Sequence, residues 1–250
     1  MSDRPHIVFV HGAFCGGWAF DLFRAPFEAA GYDCHAPDLR GHNPASARHT
    51  VGGCTMADYA KDLSAIAAGM DRPPVLVGHS MGGLASMMAA SRVPLAGLAI
   101  LAPCAPWGIA GASFGEAISA GAIMAMGPFP SQAVEPDYSV AEHYSLNRMP
   151  PAERRQIFER MRPESARALW ETLTWWLDPF MTTSVGSVRC PVYAGVGGGD
   201  TVNPPATVRQ TADKVRAELK VFDGMSHWLI GEPGWDAVAA DVLAWVEELP

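Results

Sequence analysis

The pentapeptide Gly78-His79-Ser80-Met81-Gly82 lies between an apolar run, Val75-Leu76-Val77, and a stretch of small and apolar residues from Gly83 to Ala90. The run reads as a strand and the stretch as a helix. A glycine-x-serine-x-glycine joining the two constrains the fold more than any other feature. The backbone must reverse within a few residues, the serine takes strained angles, and the glycines omit side chains that would collide with neighbouring backbone. The serine Oγ is then held above the sheet edge at a helix N-terminus, where N–H groups favour negative charge. A second match, Gly111-Ala112-Ser113-Phe114-Gly115, follows Trp107-Gly108-Ile109-Ala110, which has no strand character. There Ser113 and Glu116 read as a helix capping box. Ser80 is therefore the predicted nucleophile.

Further apolar runs alternate with helical patterns along the chain. Ile7–Val10, Asp33–Ala36, Val75–Val77, Leu98–Leu101, Val192–Val196 and Leu219–Phe222 are the predicted strands. Helices are predicted near residues 19–30, 56–69, 82–91, 205–216 and 234–248, with Thr55 and Asp58 as a capping pair. This alternation implies an α/β fold, a mostly parallel sheet of about six strands flanked by helices. The rhythm breaks once. Residues 105–184 carry helix signals and no strand signal: Ser139 with Glu142 reads as a capping box, Pro150-Pro151 opens a helix at Ala152–Met161, and Pro163 opens another at Glu164–Leu177. That stretch is a predicted helical lid inserted into a core formed by residues 1–104 and 185–250.

Composition narrows the function. The chain has 250 residues, 49% apolar and 18% charged, which fits one folded domain. A net charge of −8 argues against a nucleic-acid partner. The five cysteines are odd in number and lack C-x-x-C spacing, so neither a disulfide framework nor a zinc site is expected. No apolar run has the length of a membrane span, and no signal-peptide core precedes Ile7, which makes the cytoplasm the expected location.

A serine nucleophile needs a base, and the base an orienting acid. In a doubly wound sheet all three belong on loops at the carboxyl ends of strands. Asp200 ends the loop Gly197-Gly198-Gly199-Asp200 after one strand, and His227 lies in Asp223-Gly224-Met225-Ser226-His227-Trp228 after the next. These are the predicted acid and base; the glycine run predicts a mobile acid loop. The rivals are Asp223, awkwardly close to the base, and His11, which reads as a brace of the first loop. The oxyanion formed on attack needs preorganised N–H donors. One is expected from Met81 and one from His11-Gly12-Ala13-Phe14-Cys15-Gly16-Gly17-Trp18, where Ala13 is the best-placed donor and Phe14 the alternative. No metal or organic cofactor is needed for this chemistry.

Together these residues resemble the α/β-hydrolase superfamily, over nearly the whole chain from Val8 to Trp245. The opening Val8-Phe9-Val10-His11-Gly12-Ala13-Phe14-Cys15-Gly16-Gly17-Trp18 is similar to the branch of plant methylesterases and hydroxynitrile lyases, and His227-Trp228-Leu229-Ile230-Gly231-Glu232-Pro233 is compatible with it. The resemblance implies Ser80, Asp200 and His227 as a catalytic triad, with Ala13 and Met81 as oxyanion donors. Gly12 stands where the lyases have threonine, so lyase activity is not implied. Trp228 after the base resembles the carbon–carbon bond hydrolases, but His79 stands where those have asparagine.

The insertion is rich in large soft side chains, which predicts an apolar pocket over Ser80. Phe14, Met126, Trp175, Trp176 and Trp228 are the candidate substrate contacts. No Lys or Arg occurs between residues 104 and 147, which argues against anionic acyl groups. The expected activity is hydrolysis of a carboxylic ester of a small or medium apolar substrate through an acyl-enzyme. Carbon–carbon hydrolysis, thioester hydrolysis and perhydrolysis use the same triad, and a ligand receptor of this fold is the reading from another class.

Overall fold

In strand β1 (Ile7–Val10) all four side chains are buried. Ile7 and Phe9 enter one apolar cluster and Val8 and Val10 the other, the period of two expected of a strand covered on both faces. The structure, a computed structural model, describes residues 4–46, 50–109, 111, 121, 132–175 and 178–250. Ser113, Met126 and Trp176 lie outside the described residues.

Six parallel strands form the sheet. Besides β1 these are β2 (Cys34–His35), β3 (Val75–His79), β4 (Gly97–Leu101), β7 (Val192–Gly197) and β8 (Glu218–Phe222), in the order β2-β1-β3-β4-β7-β8. Helices α1 (Ala25–Ala29) and α8 (Trp235–Glu247) supply Phe27, Val238, Ala239 and Val242 to the Phe9 side. Helices α2 (Met56–Ala68), α3 (Met81–Ala90) and α7 (Pro205–Val215) cover the Val8 side through Tyr59, Leu63, Leu84, Met88 and Ala212. The predicted capping pair starts α2: Thr55 Oγ1 accepts from the Asp58 N–H while Asp58 accepts from the Thr55 N–H.

The strand order reverses between β1 and β3. One connection leaves β1 towards β2 and the later ones leave β3 in the other direction, so the loops after β1 and β3 diverge from a common crevice, the usual ligand position in an open α/β sheet.

Between β4 and β7 the structure departs from the sequence expectation. Residues 105–184 hold a two-stranded antiparallel ladder, β5 (Ala133–Val134) with β6 (Glu164–Ser165). Two residues a side are too few for alternation to register in the sequence. Helix α4 (Tyr138–Val140) is capped by Asp137, whose Oδ1 accepts from the Val140 N–H, two residues before the expected Ser139. Helix α5 (Pro151–Arg160) starts at the proline pair as expected. Helix α6 (Ala166–Leu173) starts two residues later than expected because Glu164 and Ser165 are taken by β6, and Ser165 caps it.

Phe9 on β1 stands among three other rings, with those of Phe20, Phe23 and Phe27 5.1, 6.3 and 5.3 Å away between centroids. Phe9→Ala is expected to cost about 3–5 kcal/mol of stability, measured by urea unfolding, because the surrounding rings cannot collapse onto β1 without moving the loop that follows it.

Candidate functional site

Ser80 is the turn between β3 and α3. Its backbone lies at φ 54°, ψ −121°, a region a serine enters only under constraint. The constraint is close packing. A Cβ on Gly82 would stand 2.3 Å from the His11 carbonyl oxygen and 2.4 Å from that of Val10, so only glycine lets the start of α3 lie against the end of β1. The reversed turn is held by the Ser80 N–H donating to the Leu101 carbonyl at 2.9 Å and by the Ser80 carbonyl accepting from Cys104 at 3.0 Å.

The structure brings the three predicted residues together. His227 Nε2 lies 3.1 Å from Ser80 Oγ, and His227 Nδ1 lies 2.9 Å from Asp200 Oδ2. With the Nδ1 proton given to the carboxylate, Nε2 is left as the acceptor for the hydroxyl proton. The other oxygen of Asp200 accepts from the N–H groups of Val202 and Asn203, at 2.8 and 3.0 Å. Ser80, His227 and Asp200 are 8%, 4% and 3% exposed, so the chain of bonds is shielded from competing water. Asp223 is exposed, and Asp200 rather than Asp223 is the partner of His227 Nδ1.

In the glycine run before Asp200, Gly197 is required by close approach, and Gly198 and Gly199 are held by main-chain bonds. A Cβ on Gly197 would be 2.2 Å from the Ser226 carbonyl oxygen. Gly198 donates to Phe222 and Gly199 to Met225, both at 2.9 Å, and Ser226 Oγ donates to the Gly199 carbonyl at 3.2 Å. The acid loop is thus fastened to the base loop, which is what sets the distance between Asp200 and His227.

The loop after β1 approaches from the other side: a Cβ on Gly12 would stand 3.0 Å from Ser80 Cβ. His11 is a brace, as expected. Its Nε2 accepts from the Leu39 N–H at 3.0 Å, so Nδ1 carries the proton and donates to the Gly12 carbonyl at 2.8 Å. Of the two candidate N–H donors in this loop, that of Phe14 is taken, donating to Glu164 Oε2 at 3.2 Å. Met81 is the first residue of α3 and is buried. Trp228 is 4% exposed and packs into the core beneath the base, edge-on to His79 at 5.5 Å and beside Trp18 at 6.5 Å. Trp175 is half-buried, edge-on to Trp107 at 6.1 Å.

Several residues at the site have no signature in the sequence. His79 Nε2 donates to the His227 carbonyl at 2.8 Å and so holds the base loop from below. Cys104 Sγ lies 3.9 Å from Ser80 Oγ. Glu232, fully buried, accepts from the Ser226 N–H beside the base, and burial raises its pKa.

One group of side chains among the described residues has metal-ligand spacing: His6, Asp33 and His35, whose ligand atoms lie within 4.8 Å of one another. It sits at the amino ends of β1 and β2, the end of the parallel sheet opposite Ser80, and His6 is also paired with Asp71 at 2.8 Å.

The sequence profile of the Alpha/beta hydrolase family matches residues 7–241. The chain belongs to this family. Among relatives of this alpha/beta hydrolase, the pyrethroid hydrolase of Sphingobium wenxiniae is 36% identical over 97 residues, 38% of this chain and 34% of that protein. Esterase PIR7B of Oryza sativa subsp. japonica is 35% identical over 96 residues, 37% of this chain and 35% of that protein. The matched stretches thus span about a third of either relative. The structure of the methylesterase MES16 from Arabidopsis superimposes with a TM-score of 0.75 at 20% identity, covering 98% of this chain and 100% of that one. The α/β-hydrolase fold therefore extends through the whole described chain.

The buried histidines make stability depend on pH. Burial, with the neighbouring His42 for His11 and the neighbouring His227 for His79, lowers both pKa values to about 3. An unfolded imidazole titrates near 6.5, so below about pH 6.5 the unfolded chain takes up protons the folded protein refuses. Each histidine therefore contributes stability that is present above that pH and lost as pH falls towards 3, at up to about 1.4 kcal/mol per pH unit. In His79→Gln, whose amide can still donate to the His227 carbonyl, the fall in unfolding free energy between about pH 6 and pH 4 is expected to flatten by about that slope. An unchanged slope would mean that the folded protein already binds this proton.

Proposed function

We propose that this alpha/beta hydrolase is a serine esterase that cleaves a carboxylic ester of a small or medium apolar substrate, with Ser80, His227 and Asp200 as its catalytic triad. The observation that carries the reading is the unbroken bond chain from Ser80 Oγ to His227 to the buried Asp200, built on a serine at positive φ. The relatives support it: one is a hydrolase of pyrethroids and another an esterase. His227 takes the hydroxyl proton as Oγ attacks the ester carbonyl, then gives it to the departing alcohol. Asp200 stabilises the imidazolium between the two steps. Water repeats the sequence on the acyl-enzyme.

The tetrahedral oxygen is stabilised by the N–H groups of Met81, at the start of α3, and Ala13. Ala13 is favoured over Phe14 because the Phe14 N–H is spent on Glu164. Residues 105–184 act as a lid. Val134, Ala166 and Leu169 of that segment pack on Ala13 and Phe14, which supports a pocket roofed by it, with Phe14 and Trp175 as contacts and Met126 and Trp176 as the remaining candidates. No helix among the described residues is long and apolar enough to cross a membrane, and the five cysteines are free, which supports a reducing, cytoplasmic setting.

A panel of p-nitrophenyl esters of graded chain length, run beside a thioester and a vinylogous diketone, tests the reading. Ester turnover by the wild type is expected to fall about 10³–10⁶-fold in Ser80→Ala and about 10⁴-fold in Asp200→Asn, both variants remaining folded. Hydrolysis that survives in folded Ser80→Ala would sink the assignment, and faster cleavage of the thioester or diketone would move it to those chemistries.

Trp175→Ala is expected to shift the chain-length preference towards larger esters, losing about 1–3 kcal/mol of transition-state binding for the best small one. If the variant melts earlier and its preference profile is unchanged, Trp175 is packing and the lid does not select substrate through it.

A further inference from the structure

Glu164 is a fully buried carboxylate far along the chain from every group in the reaction above. It enters from β6 of the lid and meets four donors. Oε2 accepts from the Phe14 N–H at 3.2 Å and from His42 Nε2 at 3.0 Å. Oε1 accepts from the Tyr59 hydroxyl and from its neighbour's Ser165 N–H, both at 2.7 Å. Two residues earlier, the Arg162 N–H donates to the Phe14 carbonyl at 2.8 Å. The segment 162–164 therefore holds Phe14 by both of its backbone polar groups. Phe14 sits at φ 64°, which a phenylalanine adopts only when its surroundings impose it.

The consequence follows from peptide planarity. The Phe14 N–H shares a rigid plane with the Ala13 carbonyl, and Glu164 fixes that plane. The Ala13 N–H shares the preceding plane with the Gly12 carbonyl, and His11 fixes that one through its Nδ1 proton. The two fixing groups are themselves joined: the His11 ring packs edge-on against His42 at 5.0 Å, and His42 pairs with Glu164. Burial opposes charge on both members of that pair. The mutual attraction and hydrogen bonds outweigh it, raising the His42 pKa and lowering that of Glu164, so the carboxylate is held ionised. Four elements, the loop after β1, the loop before α2, α2 itself and the lid, converge on one carboxylate that does not touch the reacting atoms.

We infer that Glu164 is a positioning residue of the oxyanion site: reaching in from the lid, it locks the Ala13–Phe14 peptide, so that Ala13 is held between that plane and the one His11 fixes and its N–H is presented to the tetrahedral oxygen on Ser80. This rests on the esterase reading, in which Ser80 is the nucleophile and Ala13 a donor. It makes the lid part of the catalytic frame as well as a roof, because a lid that is not seated cannot hold the loop.

The test uses the p-nitrophenyl ester that the wild type cleaves fastest, with Glu164→Gln and the milder Tyr59→Phe, which removes one donor from the carboxylate and keeps its charge. A glutamine can accept at only one of its two ends, so it cannot serve all four donors. In Glu164→Gln, kcat is expected to fall about 10–100-fold with KM within about threefold, since the donor is displaced rather than deleted. In Tyr59→Phe a fall of about three- to tenfold is expected. Inhibition by butylboronic acid, which forms a tetrahedral adduct on the serine, is expected to weaken in step with kcat, while competition by butanol is unchanged. A purely structural role predicts a lower melting temperature with kcat and boronate affinity unaltered in the folded variant, and that result overturns the inference. If Glu164→Gln does not fold, Tyr59→Phe decides alone. Should the wild type cleave no ester of the panel, or Ser80→Ala cleave as well as wild type, the esterase reading fails first. Ester cleavage that depends on Ser80 but not on Glu164 or Tyr59 removes only the positioning role.

Discussion

The contact on which this structure depends is the approach of α3 to the carboxyl end of β1, where Gly82 lies under the carbonyls of Val10 and His11 with no room for a methyl group. That approach forces the backbone to reverse at Ser80 into a region disfavoured for any L-residue. The strain persists because everything around it is over-determined: β3 is paired along its length with β1 and β4, and α3 is buried on every side. A serine on a relaxed turn would sample rotamers and solvent. Here its Oγ has one place to be, above the crevice at which the strand order reverses.

The same logic of enforced closeness governs the partners. Asp200 and His227 come from neighbouring strands, β7 and β8, whose loops are knitted by main-chain bonds through the glycine run. Each loop alone would be flexible. Joined, they hold the carboxylate-to-imidazole distance through main-chain bonds of their own. The loop after β1 is different, since its own residues do not suffice. It is held by His11 from within and by Glu164 from outside, which ties its conformation to a segment more than a hundred residues away.

Burying a charge is costly unless it is paired and hydrogen-bonded. Asp200 and Glu164 both meet that demand. Asp200 is bonded by His227, Val202 and Asn203, and Glu164 by Phe14, His42, Tyr59 and Ser165. A fully satisfied polar network admits few alternative geometries, so these two carboxylates specify positions that apolar packing alone would leave loose.

By itself the sequence determined the elements whose causes are local. The strand-turn-helix at Ser80 is legible because its glycines and apolar runs are contiguous, and the six strands because their patterning is continuous; Asp200 and His227 stand out as candidates because each follows a strand at its carboxyl end. Only the tertiary structure decided which strands are neighbours and what the glycine run before Asp200 is for. It alone decided that Trp228 packs edge-on to His79, and that Glu164, opening a two-residue strand, grips the loop beside Ser80. In the sequence Glu164 reads as the first turn of a helix, because nothing in Pro163-Glu164-Ser165 records the donors it meets. Three of the four donors come from residues 14, 42 and 59, and hydrogen bonds between such distant positions leave no periodicity for a sequence to display.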